Sequence, residues 1–326
     1  MNSKSTKTII FIGDFYYNAG STQTLLYYKK IAEKLGYDIV ISGYADSYVK
    51  KVLPVIQTDS WPSQSILIYI FENILYLDPN INQGLLEKHL RVSKKYPHCI
   101  IDTDARYEDH RWKKILDEFE VPVLQPKIYS DKLSDNIISY PFFCFPEPEQ
   151  VISHKKHDMV YVGNNWKRTE EMSIIIDGIK RIKNAFTLAI YGKNWKKIID
   201  SDDDQISLHP SVPSNAFLHT QSLGEFSPIL ISKELLEKKL YTPRMFETIA
   251  ADTLPLIPDT LWFANEIFGS AESFIYSPRN LHEVVLKMKE NKNNYINFKK
   301  NIQQHLQQKF SPEVLLTTLV SHALEH

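Results

Sequence analysis

The chain alternates short unbroken apolar runs with stretches whose apolar positions recur every three or four residues. Thr8-Ile9-Ile10-Phe11-Ile12-Gly13 is the first run, and it stops at Gly13-Asp14. A run without polar alternation marks a strand buried on both faces, as in a parallel sheet. Leu25, Leu26, Ile31 and Leu35 then predict a helix closed by Gly36, before a second strand over 37–42. Further strands are predicted at 65–71, 98–101, 121–125 and 137–143. The proline and acid cluster Phe145-Pro146-Glu147-Pro148-Glu149-Gln150-Val151 breaks the pattern and reads as an interdomain linker.

The alternation resumes at His157-Asp158-Met159-Val160-Tyr161-Val162-Gly163. Met172, Ile175, Ile176, Ile179 and Ile182 mark an amphipathic helix after it. Strands are predicted at 186–191, 206–210, 224–232, 253–257 and 273–276, and helices at 281–289 and 295–309. The segment 312–324 finishes the chain. The prediction is α/β in two Rossmann-like domains, 1–148 and 149–326, with the C-terminal helix allowed to pack back on the first.

Composition narrows the function. The chain has 326 residues, net charge −1, 43% hydrophobic and 24% charged residues, which suits two globular domains. No block of basic residues dominates, so duplex nucleic acid is not expected as a partner. The longest apolar run, Ser65 to Phe71, is far below the roughly 20 residues that span a bilayer. Met1 to Lys7 is short and polar, unlike a signal peptide. Cys99 and Cys144 lie in apolar contexts without metal-ligand spacing and read as buried thiols of a reducing compartment. A cytoplasmic location is expected.

The most informative stretch is Tyr241-Thr242-Pro243-Arg244-Met245-Phe246-Glu247-Thr248-Ile249-Ala250-Ala251-Asp252. Thr242 is a candidate helix cap, and Pro243 suits the first helical position. Arg244 and Glu247 then share one face of the opening turns. A helix N-terminus attracts phosphate, an arginine adds a forked donor, and a carboxylate accepts from vicinal hydroxyls. Phosphate beside a sugar diol is what a nucleotide-sugar presents.

Two other loops have a related design. Gly163-Asn164-Asn165-Trp166-Lys167-Arg168 follows a strand and opens a helix, with Lys167 or Arg168 as anion partners. Tyr191-Gly192-Lys193-Asn194-Trp195 repeats strand, glycine, polar loop and tryptophan. A dinucleotide fingerprint is absent, which argues against NAD or FAD. His209 reads as a structural histidine, and the acidic stretch 200–204 as a solvated turn.

Taken together, residues 157–260 resemble the donor-binding domain of a glycosyltransferase of the GT-B architecture, most of all the CgeB-like (spore-maturation-type) group. The resemblance rests on Val160-Tyr161-Val162-Gly163-Asn164 with Arg168, on Leu188-Ala189-Ile190-Tyr191-Gly192-Lys193-Asn194-Trp195, and on Tyr241 to Glu247 with Ala250-Ala251. It implies two facing Rossmann-like domains. It further implies that Glu247 binds donor ribose and Arg244 the phosphates, with Tyr241 and Phe246 beside them in the motif. Gly163, Asn164, Lys167 and Arg168 are then expected on the diphosphate side, and Tyr191, Gly192, Asn194 and Trp195 near the base. The family has glycine where Asp252 stands; aspartate tolerates the left-handed turn required there.

In the first half, Asp14 with Asn18, Gly20, Ser21 and Thr22 fits the loop that meets acceptor in such enzymes. Glu72, Asp102 and Asp104 also lie at strand ends. Asp102-Thr103-Asp104 is a weak metal signal, equally read as loop capping. If transfer is inverting, Asp14, Asp104 and His110 are the candidate bases; if retaining, no dedicated base is required. The resemblance implies no cofactor and no required metal, with a nucleotide-diphosphate sugar such as a UDP-sugar as donor. The acceptor is not readable. A nucleotide-sugar epimerase and a non-catalytic sugar-nucleotide or glycan-binding module are the rival readings.

Overall fold

The structure is a computed structural model that describes residues 7–57, 61–72, 79–127, 136–148, 155–182, 186–196, 199 and 204–325. Residues 200–203 of the expected acidic turn, and 149–151 of the expected linker, lie outside this set. The chain divides into two compact units, Met1–Cys144 with Phe310–His326, and Phe145–Lys309. The sequence expectation placed the division at 148/149.

In the first unit, strand β1 (Lys7–Phe15) leads to helix α1 (Gly20–Ala32) and strand β2 (Tyr37–Ala45). Gly36 takes φ 81° to turn the chain between them, a conformation glycine adopts without a Cβ penalty. Helix α2 (Val49–Val52), β3 (Ile66–Ile70), α3 (Pro79–Ser93), β4 (His98–Ile101), α4 (His110–Asp117), β5 (Val123–Gln125) and β6 (Ile137–Ser139) follow. The strands form one sheet in the order β2-β1-β3-β4-β5-β6, every pairing parallel. Full burial of Ile9 to Ile12 and of Leu67 to Tyr69 explains their lack of polar alternation.

The second unit holds β7 (His157–Val162), α5 (Thr169–Lys180), β8 (Leu188–Tyr191), β9 (Ile206–His209), α6 (Phe217–Gln221), β10 (Gly224–Pro228) and α7 (Lys233–Glu237). It continues with α8 (Pro243–Ala250), β11 (Leu254–Pro258), α9 (Ala264–Phe268), β12 (Ile275–Tyr276), α10 (Leu281–Glu290) and α11 (Lys292–Phe310). Its sheet is also parallel throughout, in the order β12-β11-β10-β7-β8-β9. At the end of α11 the chain re-enters the first unit. There α12 (Pro312–Leu324) packs on α1, β3 and β4, and the Tyr140 hydroxyl donates to the Leu315 carbonyl at 2.8 Å.

Each sheet has one point where strand order reverses. In the first unit it falls between β1 and β3, in the second between β7 and β10. In open parallel sheets, ligands bind outside the carboxyl ends of the strands at this point. The loops singled out from the sequence follow β1 and β7, and α8 begins on the path from β10 to β11.

Candidate active site

Helix α8 is held by its apolar face. Met245, Phe246 and Ile249 are fully buried, each contributing about 1.5–3 kcal/mol of burial. Phe246 packs on Tyr241 at 5.6 Å and on Phe145 at 6.4 Å, so both residues belong to the core, where they set the helix position. Pro243 stands at the first helical position. Thr242 occupies the cap position, but its hydroxyl makes no capping bond, and Oγ1 is a buried polar atom without a protein partner. The expected cap is thus one of place only.

Arg244 and Glu247 face one another across the opening turns, Nη1 lying 3.2 Å from Oε2. The guanidinium also sits 3.9 Å from the centre of the Phe217 ring, which fixes its plane. Arg244 Nη1 is buried, and its contact with Glu247 is an ion pair rather than a well-aligned hydrogen bond. Burial raises the Glu247 carboxyl above its ordinary range, and the Arg244 charge works against that rise. A planar cation beside a helix N-terminus suits a phosphate, and the neighbouring carboxylate suits hydroxyl donors.

The loops after β7 and β8 are stitched into one assembly. Asn164 Oδ1 accepts from the Lys193 N–H at 2.8 Å and the Ser211 hydroxyl at 3.0 Å. Asn165 Nδ2 donates to Thr169 Oγ1 and to the Asn194 carbonyl, and its Oδ1 accepts from the Arg168 N–H. Lys167 and Asn194 take φ 54° and 68°, which closes both turns. Trp195 is buried, and its Nε1 donates to the Gly163 carbonyl at 2.7 Å. The expected place of Trp195 beside a base is therefore replaced by a supporting one: no ring face is offered. The Gly163 N–H is likewise spent on the Tyr191 carbonyl. At Gly192 a Cβ would stand 2.0 Å from the Gly163 oxygen, so the two loops can approach only through glycine.

Of the basic residues, Lys167 is exposed and paired with Glu234 at 2.7 Å. Arg168 is partly buried; Nη1 donates to the Asn164 carbonyl at 3.4 Å, while buried Nε has no protein partner. Arg168, rather than Lys167, thus has the unfilled buried donor. Tyr191 stacks on His209 at 4.4 Å and 15°, in keeping with a structural role for that histidine.

In the first unit, β4 ends at Ile101, and Asp102 turns inward. It accepts from the N–H groups of Arg106 and Tyr107 and from Gln125 Nε2 at 2.7–2.8 Å. Asp102 is therefore a loop cap. Asp104 does not share its face, because β4 ends at Ile101 and the chain turns at Thr103 and Asp104; Asp104 pairs with Arg106 at 3.3 Å and is about half exposed. His110 is an exposed residue opening α4, capped by Asp109.

Asp14 is buried at the end of β1. Asn18 is exposed and Gly20 opens α1; Ser21 and Thr22 are buried. Ser21 Oγ donates to Glu72 Oε2 across the reversal between β1 and β3. The sequence placed Glu72 at a strand end but gave no sign of this bond, which joins residues 51 apart. Among the described residues no cluster of three or more metal-ligating side chains occurs, and no helix is long and apolar enough to cross a membrane.

Two parallel six-stranded sheets with helices, in these strand orders, are the α/β fold of GT-B glycosyltransferases. The T4 phage enzyme BGT in complex with UDP-glucose matches at TM-score 0.64 and 16% identity, covering 98% of this chain and 100% of its own. An alpha-glucosyltransferase in complex with UDP-glucose and DNA containing an abasic site matches at TM-score 0.71 and 9% identity, covering 97% and 98%. BGT in complex with UDP and Mn2+ matches at TM-score 0.63 and 16% identity over 97% and 99%. No protein-family model and no curated protein matches the chain, so the likeness is one of fold. The expectation that nucleic acid is excluded as a partner finds no support in neighbours solved with DNA.

Proposed function

We propose that the protein is a glycosyltransferase that takes its sugar from a UDP-sugar. The observation that carries this reading is the α8 opening, where the buried Arg244 guanidinium and the Glu247 carboxylate face one another at the helix N-terminus. Arg244, Arg168 and the helix N-terminus meet the charge that develops on the departing diphosphate. Glu247 accepts from the ribose hydroxyls. The CgeB-like placement rests on the three sequence motifs, with Asp252 in the glycine position. UDP-glucose in the structural neighbours makes UDP the first nucleotide to test.

The cations of the site serve the leaving group without a required metal in this reading. One neighbour was solved with Mn2+, so turnover is to be compared with and without Mn2+ and a chelator. Neighbours solved with DNA, one containing a HMU base, make DNA carrying such a base an acceptor to assay beside small glycans.

Thermal-shift titration with UDP-glucose is the test of the donor site. Stabilisation that Glu247→Ala removes supports the reading; stabilisation that this variant leaves unchanged overturns the site. Release of UDP marks transfer or hydrolysis, whereas an isomerised sugar nucleotide would mark the epimerase instead.

A further inference from the structure

The segment that joins β9 to β10 carries no sequence motif, yet it reaches the loop after β7 and helix α8 alike. Ser211, just past β9, donates from Oγ to Asn164 Oδ1 at 3.0 Å. Phe217 opens α6 and packs against the buried cluster of Val160, Val162 and Ala189, so its ring is anchored on β7 and β8. The Arg244 guanidinium rests on that ring, 3.9 Å from its centre. Gln221 closes α6 and is buried. Its Nε2 donates to Ser227 Oγ of β10 and to Thr248 Oγ1 of α8, both at 2.8 Å.

These contacts form a brace. A guanidinium on a long flexible side chain has many orientations available, and each must be given up when it binds a phosphate. Here Phe217 holds Arg244 by its face, and Glu247 holds it by an edge at 3.2 Å. The ring is in turn fixed by the strands beneath it. Through Gln221, the helix that carries the ring is tied to the helix that carries Arg244. Donors fixed in advance meet a developing negative charge without paying for their own reorganisation.

We propose that Phe217 is a positioning residue for the donor phosphates. Its ring holds Arg244 in the plane in which the guanidinium meets the diphosphate, and the stretch from Ser211 to Gln221 holds the ring. This rests on the transferase reading. The effect is selective, because Phe217 acts through the guanidinium alone: ligands that carry phosphates feel its loss, and the bare nucleoside does not.

The experiment is calorimetric titration of the whole chain and its variants with UDP and, separately, with uridine. Phe217→Leu keeps an apolar contact with the β7 cluster but removes the ring face, and is expected to weaken UDP binding about tenfold. Uridine binding is expected to stay within about twofold, and Phe217→Tyr, which keeps the ring face, retains UDP binding. In an Arg244→Ala background, Phe217→Leu should weaken UDP by less than about twofold more, since the two side chains act as one unit. Full additivity of the two substitutions, an equal loss for uridine, or undiminished UDP binding by Phe217→Leu overturns the proposal while the transferase reading stands. Failure of the unchanged protein to bind UDP or UDP-glucose overturns the transferase reading itself, and the positioning role with it.

Discussion

Replacing Asp252 separates backbone strain from charge burial in one series. Asp252 follows α8 at φ 55°, and its Oδ1 pairs with Lys299 Nζ of α11, whose side chain is 5% exposed. Lys155 Nζ lies 3.8 Å from Oδ2 and donates to the Asp252 carbonyl at 3.0 Å and the Ser222 carbonyl at 2.9 Å. Asp252→Gly retains the left-handed turn but leaves Lys299 buried without its anion. Breaking one side of a buried pair costs about 3–5 kcal/mol. The 17% exposure of the Asp252 side chain puts the expectation near the low end, about 3 kcal/mol.

Asp252→Ala adds left-handed strain of about 1 kcal/mol and is expected near 4. The double variant Asp252→Gly/Lys299→Met, which removes both charges, is expected within about 1 kcal/mol of the unchanged protein. For units of this size, 1 kcal/mol moves the midpoint about 2–4 °C. Thermal unfolding followed by circular dichroism should therefore show Asp252→Gly about 6–12 °C low, Asp252→Ala lower, and the double variant recovered. A glycine variant as stable as the parent, or a double variant no better than the single, would refute the reasoning.

Two other outcomes follow from the same packing. The folded-state carboxyl of Glu72 lies above its ordinary 4.5, at about 7, so the folded protein holds that proton more tightly. The associated stability is complete below pH 4.5 and lost as pH rises through 7. Glu72→Gln should accordingly raise stability at pH 8 by about 3 kcal/mol and leave it unchanged at pH 4; a loss at pH 8, read by thermal unfolding, contradicts this. Trp195→Phe removes the bond to the Gly163 carbonyl and should cost about 2 kcal/mol in urea unfolding while weakening UDP-glucose binding; unaltered binding would separate the tryptophan from the site.

Much of the scaffold was legible because parallel strands buried on both faces must be apolar throughout. Ile9 to Ile12 and Leu67 to Tyr69 announce themselves that way. The α8 opening was equally legible, since Pro243, Arg244 and Glu247 owe their relation to helical spacing alone. Less legible were the side chains whose task depends on a distant partner. Trp195 and Phe246 look like ligand contacts in a motif, yet they support loops from the core. Asp102 and Asp104 look paired two residues apart, but the strand ends at Ile101 and the turn at Thr103 and Asp104 sends them different ways.

The sequence by itself determined the α/β class, the helix start at Pro243 and the tolerance of Asp252 for a left-handed turn. These depend on local spacing, burial periodicity and single-residue backbone preferences. Only the tertiary structure decided that Asp252 anchors α11 through Lys299, that Ser21 bonds Glu72, and that Arg106 links Asp104 to the end of β3. The reason is physical: burial and charge environment are set by neighbours that folding brings together, and no spacing along the chain encodes them.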